Sequence, residues 1–134
     1  LGCAFANEDL IEALNRIKNS FNSYPIDRLA QVAGVKAIQD ENYFNLTRIK
    51  IIEARKFLEK ELLLIDFEVL SSGANFIFTR HKSKDAIIIF NKLREAGVLV
   101  RHFNEPERIS QFLRITIGTM EDMQKLISIL KAVL

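Results

Sequence analysis

The sequence predicts an α+β fold, in which a small, mainly antiparallel sheet carries helices packed on one face. Apolar residues recur at three- and four-residue steps through the first half of the chain, which is typical of amphipathic helices. Four short runs rich in β-branched and aromatic residues follow residue 66, with turn-forming residues between them. A helical segment separates the second run from the third, and another follows the fourth. The predicted order is therefore three helices followed by β-β-α-β-β-α.

The first forty residues contain two shorter helices. Asn7 suits the N-cap of the first, and Pro25 leads into a second helix that Asp27 can cap and that runs to about Gln39. The opening stretch Leu1–Ala6 resembles a buried strand, and the chain starts without methionine. Because a buried strand needs neighbouring strands, we expect this chain to be a piece of a longer protein. The missing sheet would leave apolar surface on these first residues.

The third helix is predicted to be the longest element. It is expected over Glu41–Ile65 with Asp40 as its cap, and it contains neither glycine nor proline. Its apolar side chains follow one stripe, which is typical of a scaffold helix. That stripe consists of Phe44, Ile51, Leu58, Leu62 and Ile65. Because the preceding residues lack a sheet of their own, we predict a domain boundary at this helix, between 1–40 and 41–134.

The remaining residues are predicted to form the sheet and two more helices. The strands are expected, in order, at Phe67–Leu70, Ala74–Arg80, Val98–Phe103 and Phe112–Gly118. The helix Lys84–Ala96 should end at Gly97, which can adopt the left-handed conformation found after many helices. Thr119, three residues before Asp122, indicates the start of the last helix. The buried face of that helix is predicted to comprise Met120, Met123, Ile127, Leu130 and Leu134.

The composition is that of an ordinary soluble domain. The 134 residues are 49% hydrophobic and 27% charged, with a net charge of +2 that is too small to indicate nucleic acid or an acidic membrane surface as a partner. No run approaches the roughly 20 apolar residues that a membrane-spanning helix needs. Cys3 is the single cysteine and cannot form an internal disulfide. We therefore predict a cytoplasmic protein.

Most common catalytic motifs are absent from the sequence. His81, His102 and Cys3 have no spacing typical of a metal site, so we predict no bound metal. No glycine-rich phosphate loop and no G-x-S-x-G motif occurs. The acidic pairs Asp40-Glu41 and Glu121-Asp122 stand at helix starts, where capping explains them.

Two arginines are the best functional indication in the residues themselves. Arg101 and Arg114 each interrupt an apolar strand pattern, and a guanidinium is costly to desolvate unless an anion meets it. They would serve either as surface ion-pair residues or as a bidentate site for phosphate or carboxylate. Two further segments could contribute to a site: the polar turn 20–24, and the loop 72–75, whose small residues allow a ligand to approach the backbone.

Three blocks of the sequence resemble a known family. They are LGCAFANEDLIEALNRIKNSFNSYPIDRLAQ, FEVLSSGANFIFTR and GVLVRHFNEPERISQFLRITIGT. The last block is the most specific, since V-R-x-F, a proline-containing turn and L-R-I-T-I-G-T occur in order. Together they resemble the C-terminal third of the histidinol-phosphate aminotransferases. These are pyridoxal-phosphate enzymes of fold type I, the aspartate-aminotransferase fold.

The resemblance implies roles for individual residues. Arg114 would grip the carboxylate of glutamate or 2-oxoglutarate and the phosphate of histidinol phosphate, and Arg101 would assist. Asn22 and Tyr24 would lie near the active site and the interface of a homodimer. Asn75 would lie near the site in a structural role. The parent enzyme would transfer an amino group between glutamate and imidazole-acetol phosphate in histidine biosynthesis.

The resemblance also implies what this chain lacks. The family's Schiff-base lysine, and the arginine that holds the cofactor phosphate, fall before the position that matches Leu1. Lys18 and Lys36 lie outside any matching motif. We therefore expect the chain alone to bind no pyridoxal phosphate and to be inactive. Segment 1–40 would belong to the end of the large, cofactor-binding domain and 41–134 to the C-terminal small domain. The alternative is a free-standing module with a ferredoxin-like sheet that binds an anionic metabolite or mediates oligomerisation.

Overall fold

The computed structural model describes residues 2–21 and 26–134, and the chain divides after Asn45 into two compact units. The helices are α1 (Glu8–Phe21), α2 (Arg28–Gln39), α3 (Glu41–Leu63), α4 (Ala86–Glu95) and α5 (Met120–Val133). The strands are β1 (Phe67–Leu70), β2 (Phe76–His81), β3 (Arg101–His102) and β4 (Leu113–Thr116), with a 3₁₀ turn over Glu107–Ile109. The predicted order of helices and strands is confirmed.

The helix starts follow the predicted capping residues. The side-chain oxygens of Asn7, Asp27 and Asp40 accept backbone N–H bonds from the residues three positions later, at 3.1, 2.9 and 3.0 Å. These bonds satisfy donors that a helix leaves unpaired in its first turn. The capping residues therefore explain where α1, α2 and α3 begin.

The first unit exposes the apolar faces of its helices. Leu10, Leu14 and Ile17 on α1 are 49–64% exposed. No residue of α2 is buried, and Leu29 is 83% exposed. This agrees with the expectation of apolar surface in this part of the chain. Such contiguous apolar helix faces are typical of surfaces that another protein segment covers.

The strand predicted over Leu1–Ala6 is not found. Residues 2–6 have no regular structure and are exposed, and Phe5 is 96% exposed; Leu1 lies outside the described residues. The apolar pattern alone suggested a strand, but a strand forms only where a neighbour completes its hydrogen bonds. Within the described residues this segment has no pairing partner.

The second unit contains the four-stranded sheet, in the order β1-β2-β4-β3 with every neighbouring pair antiparallel. Alternate residues of β2 and β4 are buried, as expected for a sheet covered on one face. The buried face contributes Phe67, Ile77, Thr79, Leu113 and Ile115 to the core. Residues of α3, α4 and α5 complete the same core, which confirms the prediction of helices on one face.

Several element boundaries differ from the predictions, most clearly at β3. A strand was predicted over Val98–Phe103, but β3 contains two residues. The N–H of Val98 donates to the carbonyl of Leu93 at 2.8 Å and so closes the end of α4 instead of joining the sheet. Gly97 has φ of +77°, which confirms its predicted left-handed conformation. β4 is likewise shorter than the predicted Phe112–Gly118, and it ends at Thr116.

The buried faces of α3 and α5 were partly mispredicted. Phe44 is 61% exposed and lies in the first unit, whereas Ala54 is buried beside Leu58. On α5, Met120 is 38% exposed and Leu126 is buried. Met120 is the first residue of α5, and the buried face begins one turn later at Met123.

The start of α5 is held by the predicted capping pair. Thr119 Oγ1 accepts a bond from the Asp122 N–H at 3.1 Å, and Asp122 Oδ2 accepts one from the Thr119 N–H at 2.9 Å. A Cβ at Gly118 would lie 2.7 Å from Asp122 Oδ2, so the capping geometry favours glycine there.

Candidate functional site

The candidate site lies on the face of the sheet opposite the helices. Residues paired directly across an antiparallel sheet point to the same face. The pairs Glu68 with Arg80, Phe78 with Arg114, and Arg114 with Arg101 therefore share one face. We call it the open sheet face, and it comprises Glu68, Leu70, Phe76, Phe78, Arg80, Arg101, Arg114 and Thr116. The rings of Phe103 and Phe112, which lie next to β3 and β4, contact side chains of this face and are counted with it.

Arg101 and Arg114 are brought together on this face. They are directly opposite each other on β3 and β4, and both side chains are exposed. Like charges in this position destabilise a sheet unless something compensates them. Within residues 2–21 and 26–134, no carboxylate forms an ion pair with either guanidinium. Surface ion pairs, one of the two alternatives from the sequence, are therefore not found for these arginines among the described residues, and the anion site stays a prediction.

Aromatic rings surround the two guanidinium groups. The Arg114 Cζ lies 5.4 Å from the centre of the Phe76 ring and 6.0 Å from that of Phe103. The Arg101 Cζ lies 5.5 Å from the centre of the same Phe103 ring. At these distances the negative faces of the rings attract the cations without neutralising them. The positive charge therefore stays available to a bound anion.

Arg80 differs from the other two arginines on this face. It forms an ion pair with Glu68 at 2.7 Å, and its Cζ lies 5.2 Å from the centre of the Phe112 ring. Because Glu68 already neutralises it, Arg80 is less suited to bind an external anion.

Asn75 lies immediately before β2, beside the end of β4. Its carbonyl accepts a bond from the Ile117 N–H at 2.8 Å, and its side chain is exposed. The loop before it is tightly held. Arg55 donates to the carbonyl of Ala74 at 2.6 Å, and Ser72 Oγ donates to the carbonyl of Phe76 at 2.6 Å. These bonds fix the backbone next to Phe76, which contacts Arg114.

The other two predicted site residues, Asn22 and Tyr24, lie outside the described residues. Ser20, at the start of the predicted polar turn, is still within α1, and its Oγ donates to the carbonyl of Ile17 at 2.9 Å. The structure therefore brings Arg101, Arg114 and the backbone of Asn75 together in one unit and does not test the proposed role of the turn.

The contacts between the aromatic rings and the two arginines were not predicted from the sequence. Phe76 and Phe103 come from different strands, and their joint contact with Arg114 depends on strand order and register. A signal was present in the run N-F-I-F-T-R, where apolar residues occupy both faces of the strand before Arg80. Such a strand presents rings on the face that does not join the core.

His81 holds the turn between β2 and α4. Its Nδ1 accepts N–H bonds from Ser83 and Lys84, each at 3.1 Å, so the imidazole is neutral in this arrangement. Its ring meets the buried Phe67 edge-on, with centroids 5.0 Å apart. Burial lowers the pKa of His81 below its ordinary value of 6.5, and Lys84 and Lys82 lower it further against the opposing effect of Asp66.

This environment predicts a pH-dependent stability. Because the folded state favours neutral His81, the free energy of unfolding should be highest above pH 6.5 and should fall as the pH drops through the folded-state pKa. Urea unfolding between pH 8 and pH 5 measures the effect. The variant His81→Asn keeps an acceptor near Nδ1 but cannot titrate, so it should lose less stability over this range. Equal losses in the two proteins would contradict the assignment.

Within the described residues, no group of three or more His, Cys, Asp or Glu side chains could hold a metal ion. In the same residues no helix is both long and apolar enough to cross a membrane.

Comparison with known proteins identifies the family. The family model for class I and II aminotransferases matches residues 1–130, which is nearly the whole chain. The chain belongs to the class I and II aminotransferases. These are pyridoxal-phosphate-dependent enzymes, and the α+β fold with a small antiparallel sheet agrees with that membership.

The relatives of this aminotransferase chain point to a narrower group. It is 55% identical over 127 residues to the histidinol-phosphate aminotransferase of Pseudomonas syringae, covering 95% of this chain and 36% of that protein. It is 51% identical over 134 residues to the enzyme of the same name from Aromatoleum aromaticum, covering 100% of this chain and 37% of that protein. The chain therefore spans little more than a third of these curated relatives.

A solved structure supports the fold. The histidinol-phosphate aminotransferase of Clostridium acetobutylicum superposes with a TM-score of 0.82 at 26% identity. The superposition covers 91% of this chain and 37% of that one.

The ten lysines of the chain lie apart from the arginine pair. A Schiff-base lysine should lie in a site that also binds the pyridine ring and the phosphate. All ten lysines of the sequence are described, and nine are exposed. The tenth, Lys84, is half-buried at the start of α4, where its backbone N–H is bonded to His81. None of the ten lies on the open sheet face with Arg101 and Arg114.

Proposed function

We propose that this chain is the C-terminal part of a histidinol-phosphate aminotransferase and supplies the arginines that bind the substrate anions. Its parent would transfer an amino group between histidinol phosphate and 2-oxoglutarate. In this proposal, residues 1–40 belong to the large domain, residues 41–134 form the small domain, and the parent is a homodimer. The high identity to relatives of that name supports the proposal.

The observation that carries the proposal is the uncompensated arginine pair. Arg101 and Arg114 are paired across β3 and β4, their guanidinium groups both lie near the Phe103 ring, and no described carboxylate neutralises them. A guanidinium presents N–H donors in a planar fork that matches two oxygens of a phosphate or carboxylate. Two adjacent forks suit a phosphate monoester, which carries several acceptor oxygens and nearly two negative charges. Arg114 would make the principal contact and Arg101 a supporting one.

The cofactor would be held by residues of the parent outside the described ones. Because no lysine here fits that role, the residues of this chain bind and orient the substrate anion, and the transfer chemistry depends on the rest of the parent. The chain alone should therefore neither bind pyridoxal phosphate at a single lysine nor transaminate. Asn22 and Tyr24 would lie near the site in the parent, and Asn75 would support the backbone beside Arg114.

A chimera tests this proposal directly. The Pseudomonas syringae relative would be joined, at the point where its similarity to this chain begins, to residues 1–134. The purified chimera should bind pyridoxal phosphate and transaminate histidinol phosphate with 2-oxoglutarate. The 134-residue chain, assayed alongside, should show neither the absorbance of a cofactor aldimine nor turnover.

A matched control uses the Aromatoleum aromaticum sequence in place of this chain. If that control is active and the chimera folds as a dimer without turnover, the proposed function is wrong. Binding of inorganic phosphate by an otherwise inactive chimera would then favour the free-standing anion-binding module.

A further inference from the structure

We propose that Phe103 is a positioning residue whose ring holds the guanidinium groups of both Arg101 and Arg114 in place for one anion. This inference rests on the proposed function, because it assumes that the pair binds an anion. It assigns a role to a side chain that carries no charge and makes no hydrogen bond through its ring. The ring would not contact the anion; it would act through the two arginines.

The contacts single out Phe103 among the rings of this face. Its ring lies 5.5 Å from the Arg101 Cζ and 6.0 Å from the Arg114 Cζ. Phe76 lies near Arg114, and Phe112 lies near Arg80. Of the rings among the described residues, Phe103 is thus the one that both members of the pair share.

The need for such a ring follows from the charges. Two guanidinium groups on directly opposite residues repel each other, and both belong to long, flexible side chains. In an exposed position the two side chains would move apart into solvent, and both would have to be ordered again when an anion binds. The shared ring attracts both cations and so keeps them near each other beforehand. Preorganisation of this kind increases affinity because less side-chain freedom is lost on binding.

The Phe103 ring is itself fixed by other rings. Phe78 meets it at 6.0 Å and an interplanar angle of 68°, and Phe78 stacks on Phe112 at 4.7 Å and 9°. The rings of Phe103, Phe78 and Phe112 therefore form a row across the open sheet face, and the side chain of Phe103 is only partly exposed. Because the row anchors it, Phe103 can act as a fixed support.

The test measures phosphate binding by the full 134-residue chain and its variants. Inorganic phosphate is titrated while the side-chain Nε–H signals of Arg101 and Arg114 are followed by NMR. Phe103→Leu removes the ring and keeps an apolar side chain, and it should weaken binding about tenfold, which corresponds to roughly three- to fivefold for each cation–π contact. Phe103→Tyr keeps the ring, and its affinity for phosphate should lie within twofold of that of the unsubstituted chain.

A matched control and a second variant exclude a merely structural effect. Phe57→Leu makes the same change at a half-buried ring of α3, outside the row, and should alter phosphate affinity less than twofold. Incorporating 3,4,5-trifluorophenylalanine at position 103 preserves the shape of the ring but removes its negative face. It should weaken phosphate binding without changing the urea midpoint, whereas a purely packing role would leave binding unchanged.

The outcomes separate this inference from the proposed function. Suppose that Arg114→Ala loses phosphate binding, while Phe103→Leu and the fluorinated chain bind phosphate as the unsubstituted chain does. The proposed role of Phe103 is then wrong, and the proposed anion site is retained. If the unsubstituted 134-residue chain does not bind phosphate, or if Arg114→Ala and Arg101→Ala bind it equally well, both the role of Phe103 and the proposed anion site are wrong. If Phe103→Leu does not fold, phosphate binding by the fluorinated chain alone tests the role of Phe103.

Discussion

Replacing Arg114 by alanine in the chimeric aminotransferase is expected to lower kcat/KM for histidinol phosphate by about 100-fold or more. Under the proposed function, the change would remove a charge-assisted, bidentate contact to the substrate anion and leave that anion without its principal partner. Arg114 is exposed and contributes little to the core, so the free energy of unfolding should change by less than about 0.5 kcal/mol. Steady-state kinetics and urea unfolding of the same preparation measure the two effects.

Two comparisons sharpen that result. Arg114→Lys keeps the charge but cannot offer two parallel donors, so it should recover only part of the activity. Arg94→Ala removes an exposed arginine from the last turn of α4 and should leave kcat/KM unchanged. If Arg114→Ala matched Arg94→Ala in activity, Arg114 would not belong to the site.

Replacing Phe67 by alanine is expected to reduce the free energy of unfolding by about 3 to 5 kcal/mol. Phe67 is fully buried in the first strand, and its ring contacts His81 edge-on. Its removal takes away apolar contacts and leaves a cavity that the surrounding side chains fill only in part. Because a domain of this size is typically stable by 5 to 15 kcal/mol, this single change could unfold much of the protein near its working temperature. Urea denaturation followed by circular dichroism measures the loss.

Leu99→Ala is the matched control for that experiment, since Leu99 is an apolar residue of the same unit with 81% of its surface exposed. It should change the unfolding free energy by less than about 0.5 kcal/mol. Comparable losses for Phe67→Ala and Leu99→Ala would mean that the core does not hold the second unit together as described.

The sequence predicted the parts of the fold that depend on local chemistry. Asn7, Asp27 and Thr119 cap helices because their side chains bond to backbone groups a few residues away. Gly97 ends a helix because it tolerates a positive φ. Features that depend on a distant partner were predicted less well. Leu1–Ala6 has a strand-like pattern, yet residues 2–6 have no pairing strand within the described residues.

In the candidate site, too, local features were predicted from the sequence and contacts between distant residues were not. Arg101 and Arg114 could be selected from the sequence because each interrupts an apolar pattern. The register that places them opposite each other, and the rings that surround them, depend on contacts between strands that the sequence does not specify. The neutralisation of Arg80 by Glu68 is also a cross-strand contact. The structure was therefore needed to show which of these arginines form an ion pair and which do not.

The strand order has a kinetic consequence for the arginine pair. β3 and β4 are close in sequence and can pair early, but a two-stranded hairpin is only marginally stable alone. The pairing of β2 with β4 joins residues 76–79 to 113–116 across α4, so the slow closure of that long connection precedes a stable sheet. Phe76 reaches Arg114 only at that step. A phosphate that binds the completed pair would consequently stabilise the entire second unit by mass action, and it would act mainly by slowing unfolding.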